Sequence, residues 1–493
     1  MNYGQFLNMI PEAFLVLALI VVFIQDFIVT GKKVKGYTLA ATTMGLLAVV
    51  TVVCLTAQPA EAFGGMYVAT KAANVMKAIL AAGTLIVVLM AQPWIESSAI
   101  TVKNEGEFYL LVLSTLLGMF MMTSSGNFLM FFLGLETASV PMACLVAFDK
   151  MKKKSAEGAA KYILTATFSS GIMLYGISFV YGAVGTLYFD DVAMRLTYFV
   201  NYKMQLPFLI AGLVFFFSGL AFKLSLVPFH FWTADTYEGA PTPVTGYLSV
   251  VSKGAAAFAL IVIMAKAFGP LIEYWEYLLY IVIVLSITVA NLFAIRQSEL
   301  KRFMAFSSIS QAGYIMLAVI GASQTGMASL MYYVLVYVVA NMAVFTVISA
   351  VEHSGVKSPA THHSPLTSIS AYDGLYQTNP KLAFLMTLAL FSLAGIPPFA
   401  GMFSKFFVFM AAAQQGSFWA YFVVFIALIN TVVSLYYYLL IVKAMYIKQT
   451  DSPLPTFTTS GSTRLALAVC TAGIVLFGIC SCIYDYLFAA SAL

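Results

Sequence analysis

Apolar runs of about 20 residues, separated by short polar connections, recur along the whole chain. Runs of that length suit helices crossing a bilayer core of about 30 Å at 1.5 Å per residue. Barrel strands would instead alternate apolar and polar positions. The pattern predicts an all-α polytopic membrane protein with fourteen spans: 10–30, 37–56, 73–92, 108–123, 127–147, 160–184, 206–232, 243–268, 275–295, 302–321, 327–350, 381–413, 417–442 and 463–488. No basic region precedes the first run and no small-residue cleavage pattern follows it, so it reads as a retained span rather than a cleaved signal.

Two spans are too long. As straight helices, 206–232 and 381–413 would measure roughly 40 and 50 Å. Each contains a breaker: Pro228 in FKLSLVPFHFW (222–232), and the prolines of GIPPFAG (395–401). Proline lacks the amide that closes the helical turn and its ring clashes with the carbonyl four residues back. The backbone groups freed at a break are tolerated at membrane depth only against protein or water. The interrupted spans are the seventh and the twelfth, five apart, and interruptions at matching places point to inverted repeats with a site between them. The expected organisation is an N-terminal three-helix segment (1–107), a first five-helix repeat (108–269), a second of opposite topology (270–446) and a final span (447–493).

Composition agrees with the spans. Of 493 residues, 61% are hydrophobic and 9% charged, with a mean hydropathy of +0.93, whereas soluble domains carry roughly 25% charged residues. The formal charge of +5 says little about partners, but its distribution sets orientation. Seventeen basic residues fall on one side: Lys32, Lys33, Lys35, Lys103, Lys150, Lys152, Lys153, Lys154, Lys161, Arg296, Lys301, Arg302, Lys357, Lys381, Lys443, Lys448 and Arg464. Five fall on the other: Lys71, Lys77, Arg195, Lys203 and Lys266. The richer side is expected to be cytoplasmic, with both termini outside. Cys54, Cys144, Cys470, Cys480 and Cys482 show no zinc or iron–sulfur spacing and read as small buried hydrophobes. The polar connection near 351–380 holds His353, His362 and His363 without a carboxylate or cysteine framework, and reads as a solvated loop. The 185–205 connection, with Asp190, Asp191 and Arg195 among apolar residues, reads as a short surface helix.

Four charges are read as lying deep within spans: Glu136, Lys223, Lys253 and Lys405. A lysine at bilayer depth costs about 2.5–3.5 kcal/mol, so three would cost on the order of 8–10 kcal/mol unless hydrated, paired or deprotonated. Glu136 is the natural partner of Lys223. Burial of a lysine favours its neutral form and a nearby carboxylate favours the charged one, so such a pair makes a switchable proton carrier. His230 titrates near neutral pH and suits a relay along water. Asp235 and Glu238, in DTYEGAPTP, read as loop or channel-mouth residues of a cytoplasmic turn. Ser307, Ser308, Ser310 and Gln311 either line water or hold helices together.

At these residues the sequence resembles a known family. FKLSLVPFHFWTADTYEGAPTPV (222–244), the lysine of VVSKG (250–254), ELKRFMAFSSISQAGY (299–314) and LFSLAGIPPFAGMFSKF (390–406) resemble the antiporter-like, proton-pumping membrane subunits of respiratory complex I. The N-type branch fits best. Lys405 stands where the M-type branch has a glutamate, and no long lateral helix of the L-type follows span fourteen. The resemblance implies proton transfer through Glu136 paired with Lys223, a central Lys253, a terminal Lys405 leading to the outer exit, and His230 on the hydrophilic axis. It also implies sister antiporter-like subunits and other membrane and peripheral partners in a bacterial inner membrane. FMN, iron–sulfur clusters and quinone would belong to those partners and no cofactor to this chain.

The expected function is therefore translocation of protons by a subunit of an NADH–quinone oxidoreductase, with no redox chemistry of its own. No GxGxxG loop opens a soluble domain and no cysteine cluster is present. The rival readings are a subunit of a multisubunit cation/proton antiporter, a subunit of a membrane-bound hydrogenase complex, and a passive bundle that anchors an enzyme.

Overall fold

The computed structural model describes residues 3–29, 37–97, 99–202, 205–354, 366–448, 450, 453–480 and 482–492. Lys32, Lys33, Lys35, Lys203, Lys357, His362 and His363 lie outside the described residues. The chain opens with α1 (Ile10–Val29) and α2 (Tyr37–Thr56), a hairpin of β1 (Ala60–Ala62) and β2 (Tyr67–Ala69), and α3 (Lys71–Glu96). The short α4 (Ala99–Lys103) leads into α5 (Glu105–Thr123), α6 (Phe128–Val146) and the long α7 (Lys153–Val184). The 185–205 connection contains α8 (Phe189–Asn201), which buries Phe189, Val192 and Leu196 along one stripe. An interrupted segment follows, α9 (Leu206–Leu224) and α10 (Phe231–Gly239). α11 (Thr242–Tyr247) and α12 (Lys253–Lys266) form one rod.

The second half runs through α13 (Ile272–Ile295), α14 (Leu300–Leu317) and α15 (Gln324–Glu352). After the short α16 (Leu375–Thr378) comes another interrupted segment, α17 (Pro380–Ala394) and α18 (Ala400–Ala413), then α19 (Phe418–Tyr446), α20 (Gly461–Ile479) and α21 (Cys482–Ala490). Among the described residues, twelve helices are long and apolar enough to cross a membrane. The two expected spans outside that set are 302–321 and 381–413. α14 carries too many polar residues, and the other span is divided into two short apolar helices.

Polar side chains start several of these helices. The Asn127 side chain accepts from Leu129 N at 2.7 Å, and Ser323, Ser417 and Ser460 cap α15, α19 and α20 in the same way. α15, apolar on every face, is buried along nearly its whole length and packs against α3, α17, α18 and α20. α1 and α19 instead present rows of exposed apolar side chains such as Phe23, Phe27, Phe425 and Val432, as a lipid-facing surface requires.

DTYEGAPTP differs from the expected turn. It stays helical to Gly239, because Lys301 Nζ donates to the last carbonyls, Glu238 O at 2.9 Å and Ala240 O at 2.6 Å. The end of the 351–380 connection is also less solvated than expected. Tyr372 and Leu375 are buried, and the segment is stitched to α14 by Leu300 N donating to Thr367 O at 2.8 Å.

Candidate functional site

Both interrupted segments end their first helix in the same way. Ser225 and Gly395 take left-handed conformations with φ of 61° and 88°. The next amide then bonds five residues back, Leu226 N to Ala221 O and Ile396 N to Phe391 O. The freed backbone groups are satisfied inside the protein, as membrane depth demands. At the first break Trp232 Nε1 donates to Phe222 O at 3.1 Å and Val227 N donates to Ser286 Oγ at 2.9 Å. At the second, Lys405 Nζ donates to Ala394 O at 2.9 Å and Gln311 Nε2 to Leu393 O at 3.2 Å. Gly401 permits that fold-back, since a Cβ there would lie 1.6 Å from Ser392 O.

Lys223, near the end of α9, is 5% exposed. Its Nζ donates to Ser139 Oγ at 2.9 Å on α6 and to Tyr162 OH at 3.1 Å on α7. The expected ion pair with Glu136 is not formed. The buried stripe of α6 runs through Leu135, Ala138, Ser139 and Met142, while Glu136 sits half-buried at its edge, beside the exposed Leu133 and Val140. Ser139, one turn along from Glu136, receives the lysine instead.

Lys253 begins α12 directly after a π-helical turn, Leu248–Ser252. Such turns re-aim side chains and recur at functional sites. Asn341 of α15 supports this one by donating from Nδ2 to Ser249 Oγ at 2.6 Å. Lys253 is 2% exposed, donates to Ser308 Oγ at 2.9 Å and lies 5.6 Å from the Tyr237 ring centroid. Lys405, 4% exposed, sits 4.9 Å from the centroid of the Tyr314 ring. Among the described residues no ion pair involves Lys223, Lys253 or Lys405.

Polar groups surround the last two lysines. Ser308 Oγ also contacts Tyr237 OH at 3.4 Å. A cavity of about 10 Å³ lies between Tyr337, Gln311, Tyr333 and Lys405, room for about one water. Tyr333 OH donates to Gln311 Oε1, and Gln311 Nε2 also donates to Tyr438 OH at 3.2 Å. Ser307 shares a 2.6 Å contact with Tyr438. Ser308 thus touches Lys253 directly and Gln311 lines the same cavity as Lys405, while Ser307 holds α14 to α19. His230 lies in the first break, stacked on Phe231 with ring centroids 4.6 Å apart.

At one end of this line the charges are paired. Asp235 contacts Lys161 and Arg302 at 2.6 Å each, and Glu238 contacts Lys154 at 2.6 Å and Arg302 at 2.9 Å. These bonds tie α7, α10 and α14 together. Burial pushes the Asp235 carboxyl up, but Lys161 and Arg302 outweigh it and hold the group below its ordinary range. Glu238 behaves likewise, burial being overcome by Lys154 and Arg302.

A family model described as "NADH:quinone oxidoreductase/Mrp antiporter, TM" matches residues 125–432. NADH-quinone oxidoreductase subunit N of Phocaeicola vulgatus is 55% identical over 487 residues, 99% of each chain. The chain belongs to this family of membrane subunits. A chain of respiratory complex I from Thermus thermophilus shares its fold with a TM-score of 0.78 and 29% identity, over 95% of this chain and 97% of the other. A chain of the archaeal membrane-bound sulfane sulfur reductase matches the fold alone, with a TM-score of 0.82 at 23% identity over 98% and 96%.

One buried charge of this antiporter-family chain was assigned to the wrong place by its sequence. Lys77, counted with the outer connections, is fully buried in α3 and pairs with Glu12 of α1 at 2.5 Å. Tyr67 OH closes the cluster by donating to Glu12 Oε2 at 2.8 Å, and Lys77 Nζ donates to Tyr67 OH at 3.2 Å. The position of Lys77 inside the apolar run 73–92 was the available signal. Tyr237, Tyr333 and Tyr337 gave none, because an aromatic in an apolar run reads as packing whether or not its hydroxyl is used.

Proposed function

We propose that this chain is the N-type, antiporter-like membrane subunit of a proton-pumping NADH–quinone oxidoreductase, part of a larger translocase. Electron transfer, with FMN, iron–sulfur clusters and quinone, belongs to partner subunits, and this chain moves protons. The observation that carries the reading is a line of three buried lysines held, among the described residues, by hydroxyls, a carbonyl and aromatic faces. Burial without a counter-charge disfavours an ammonium, so a modest change in nearby charge is enough to load or unload such a group. Moving one charge outward against 100 mV needs about 2.3 kcal/mol, or between one and two pKa units at 1.36 kcal/mol each.

Lys223 takes up the proton, Lys253 passes it on by way of Ser308 and Tyr237, and Lys405 delivers it toward the outer face, with His230 beside the first step. Glu136 acts as the mobile partner of Lys223: swung inward, its carboxylate would favour the charged lysine, and swung to the edge of α6 it releases it. Both termini face the periplasmic side of an inner membrane, as the basic residues favour. Lipid and sister subunits cover the exposed faces.

The fourteen-span plan and two inverted repeats, 108–269 and 270–446, belong to the same proposal. The matching left-handed helix ends at Ser225 and Gly395 support it. So do two isolated bridges in corresponding places, Asn127 with Tyr188 just before α6 and Glu299 with Ser368 just before α14.

The test is proton translocation by the purified complex in vesicles, measured per NADH oxidised. Lys223→Ala, Lys253→Ala and Glu136→Ala, assembled at normal levels, are expected to lower it. Unchanged translocation in all three would leave the chain a scaffold. A native complex lacking FMN and iron–sulfur centres would point to an antiporter instead.

A further inference from the structure

A second cavity, of about 760 Å³, lies far from the lysine line, between the starts of α17 and α20. One wall follows a helical stripe: Lys381, Leu382 and Leu385 on α17, with Thr378 just before it. The other follows Arg464, Ala468, Thr471 and Ala472 on α20. The cations sit in the first turns and the apolar residues lie further in, so the wall of α20 changes from basic to apolar over about 12 Å, or eight residues.

Among the described residues, no carboxylate lines the polar end. Lys381 and Arg464 are exposed, and neither joins an ion pair among the described residues. Among the described residues, Arg464 Nε donates to Thr459 Oγ1 at 3.2 Å. Asn379 precedes α17 but does not cap it. Its side chain donates to Pro455 O at 3.2 Å and accepts from Phe457 N at 3.3 Å. The first turn of α17 therefore brings uncapped amides to the same end of the cavity, which favours an anion.

We infer that this groove holds an anionic glycerophospholipid. Its phosphate is bound between Lys381, Arg464 and the start of α17, and one acyl chain lies along Leu382, Leu385 and Ala468. Basic pockets between spanning helices at a membrane face are a recurrent way to recognise acidic headgroups. The inference does not depend on the proton path.

The test is native mass spectrometry of the delipidated complex, titrated with phosphatidylglycerol, phosphatidylcholine or soluble glycerol 3-phosphate. Phosphatidylglycerol is expected to bind in preference to phosphatidylcholine. Lys381→Gln with Arg464→Gln should weaken it about 30-fold, each cation contributing about fivefold. Ala468→Phe, which fills the apolar end and leaves both charges, should also displace it. Equal binding of the two lipids, binding by the double variant at wild-type strength, or full competition by glycerol 3-phosphate would overturn the inference. So would density for a protein helix in the groove of the intact complex.

Discussion

Lys77 and Lys253 are buried to nearly the same degree, yet their surroundings are opposite. Lys77 has a carboxylate at 2.5 Å and a phenol at 3.2 Å, so its charge is cancelled where it stands. Lys253 has one serine hydroxyl and an aromatic face. A paired lysine in low dielectric is a fixed element that joins helices, while an unpaired one has a charge state its neighbours can change. In the proposed proton path, that difference separates joinery from proton transfer. Depth in the membrane does not decide it, and the partner does.

The comparison breaks most sharply at the pair itself. Glu12→Gln should destabilise the folded protein by about 3–5 kcal/mol, because it strands a buried ammonium. Glu12→Gln with Lys77→Met should recover much of that loss, and thermal unfolding of the purified protein measures both. Proton translocation per electron should be unchanged in the double variant. If translocation fell with normal assembly, Lys77 would belong to the transfer line after all.

Lys253→Met tests the other side. It removes a buried, uncompensated amine, so unfolding should change little. Proton translocation should drop at least about tenfold, as expected for a lost proton donor. Ser308→Ala removes the hydroxyl that accepts from Lys253 and should cost about 1 kcal/mol, read as a severalfold slower translocation with normal assembly. A full loss of stability in either variant would mean that these groups are joinery too.

The smallest effect concerns the paired charges at Asp235 and Glu238. Both carboxyls are held below their ordinary values of 3.8 and 4.5. The stability they contribute is thus complete above those values and is lost as pH falls through the lower folded-state ones. They are partly exposed, so each pair is worth at most about 1 kcal/mol. Thermal unfolding between neutral pH and pH 3 should show a steeper acid loss in the wild type than in Asp235→Asn. Parallel curves would leave the network without stabilising effect.

Much of the site was legible because membrane burial makes charges conspicuous. Lys223, Lys253 and Lys405 stand out in apolar runs, and all three are buried where the helix breaks and the bundle core place them. Glu136 stood out equally, but the sequence does not say which edge of α6 it occupies relative to Ser139. The π-helical turn before Lys253 was also invisible, since Leu248–Ser252 reads as ordinary helix. The described part of the 351–380 connection looked solvated by composition, yet Tyr372 anchors it in the core.

Sequence by itself determined the long apolar helices, the two interruptions and the presence of ionisable groups at depth. Each depends on local chemistry: an apolar run of membrane length, a proline without an amide, a charge among hydrocarbons. The tertiary structure decided which charge meets which partner. Those contacts join residues 84 and 55 positions apart for Lys223 and Lys253, and electrostatics in a low dielectric turns on distances of about 3 Å that only packed helices set.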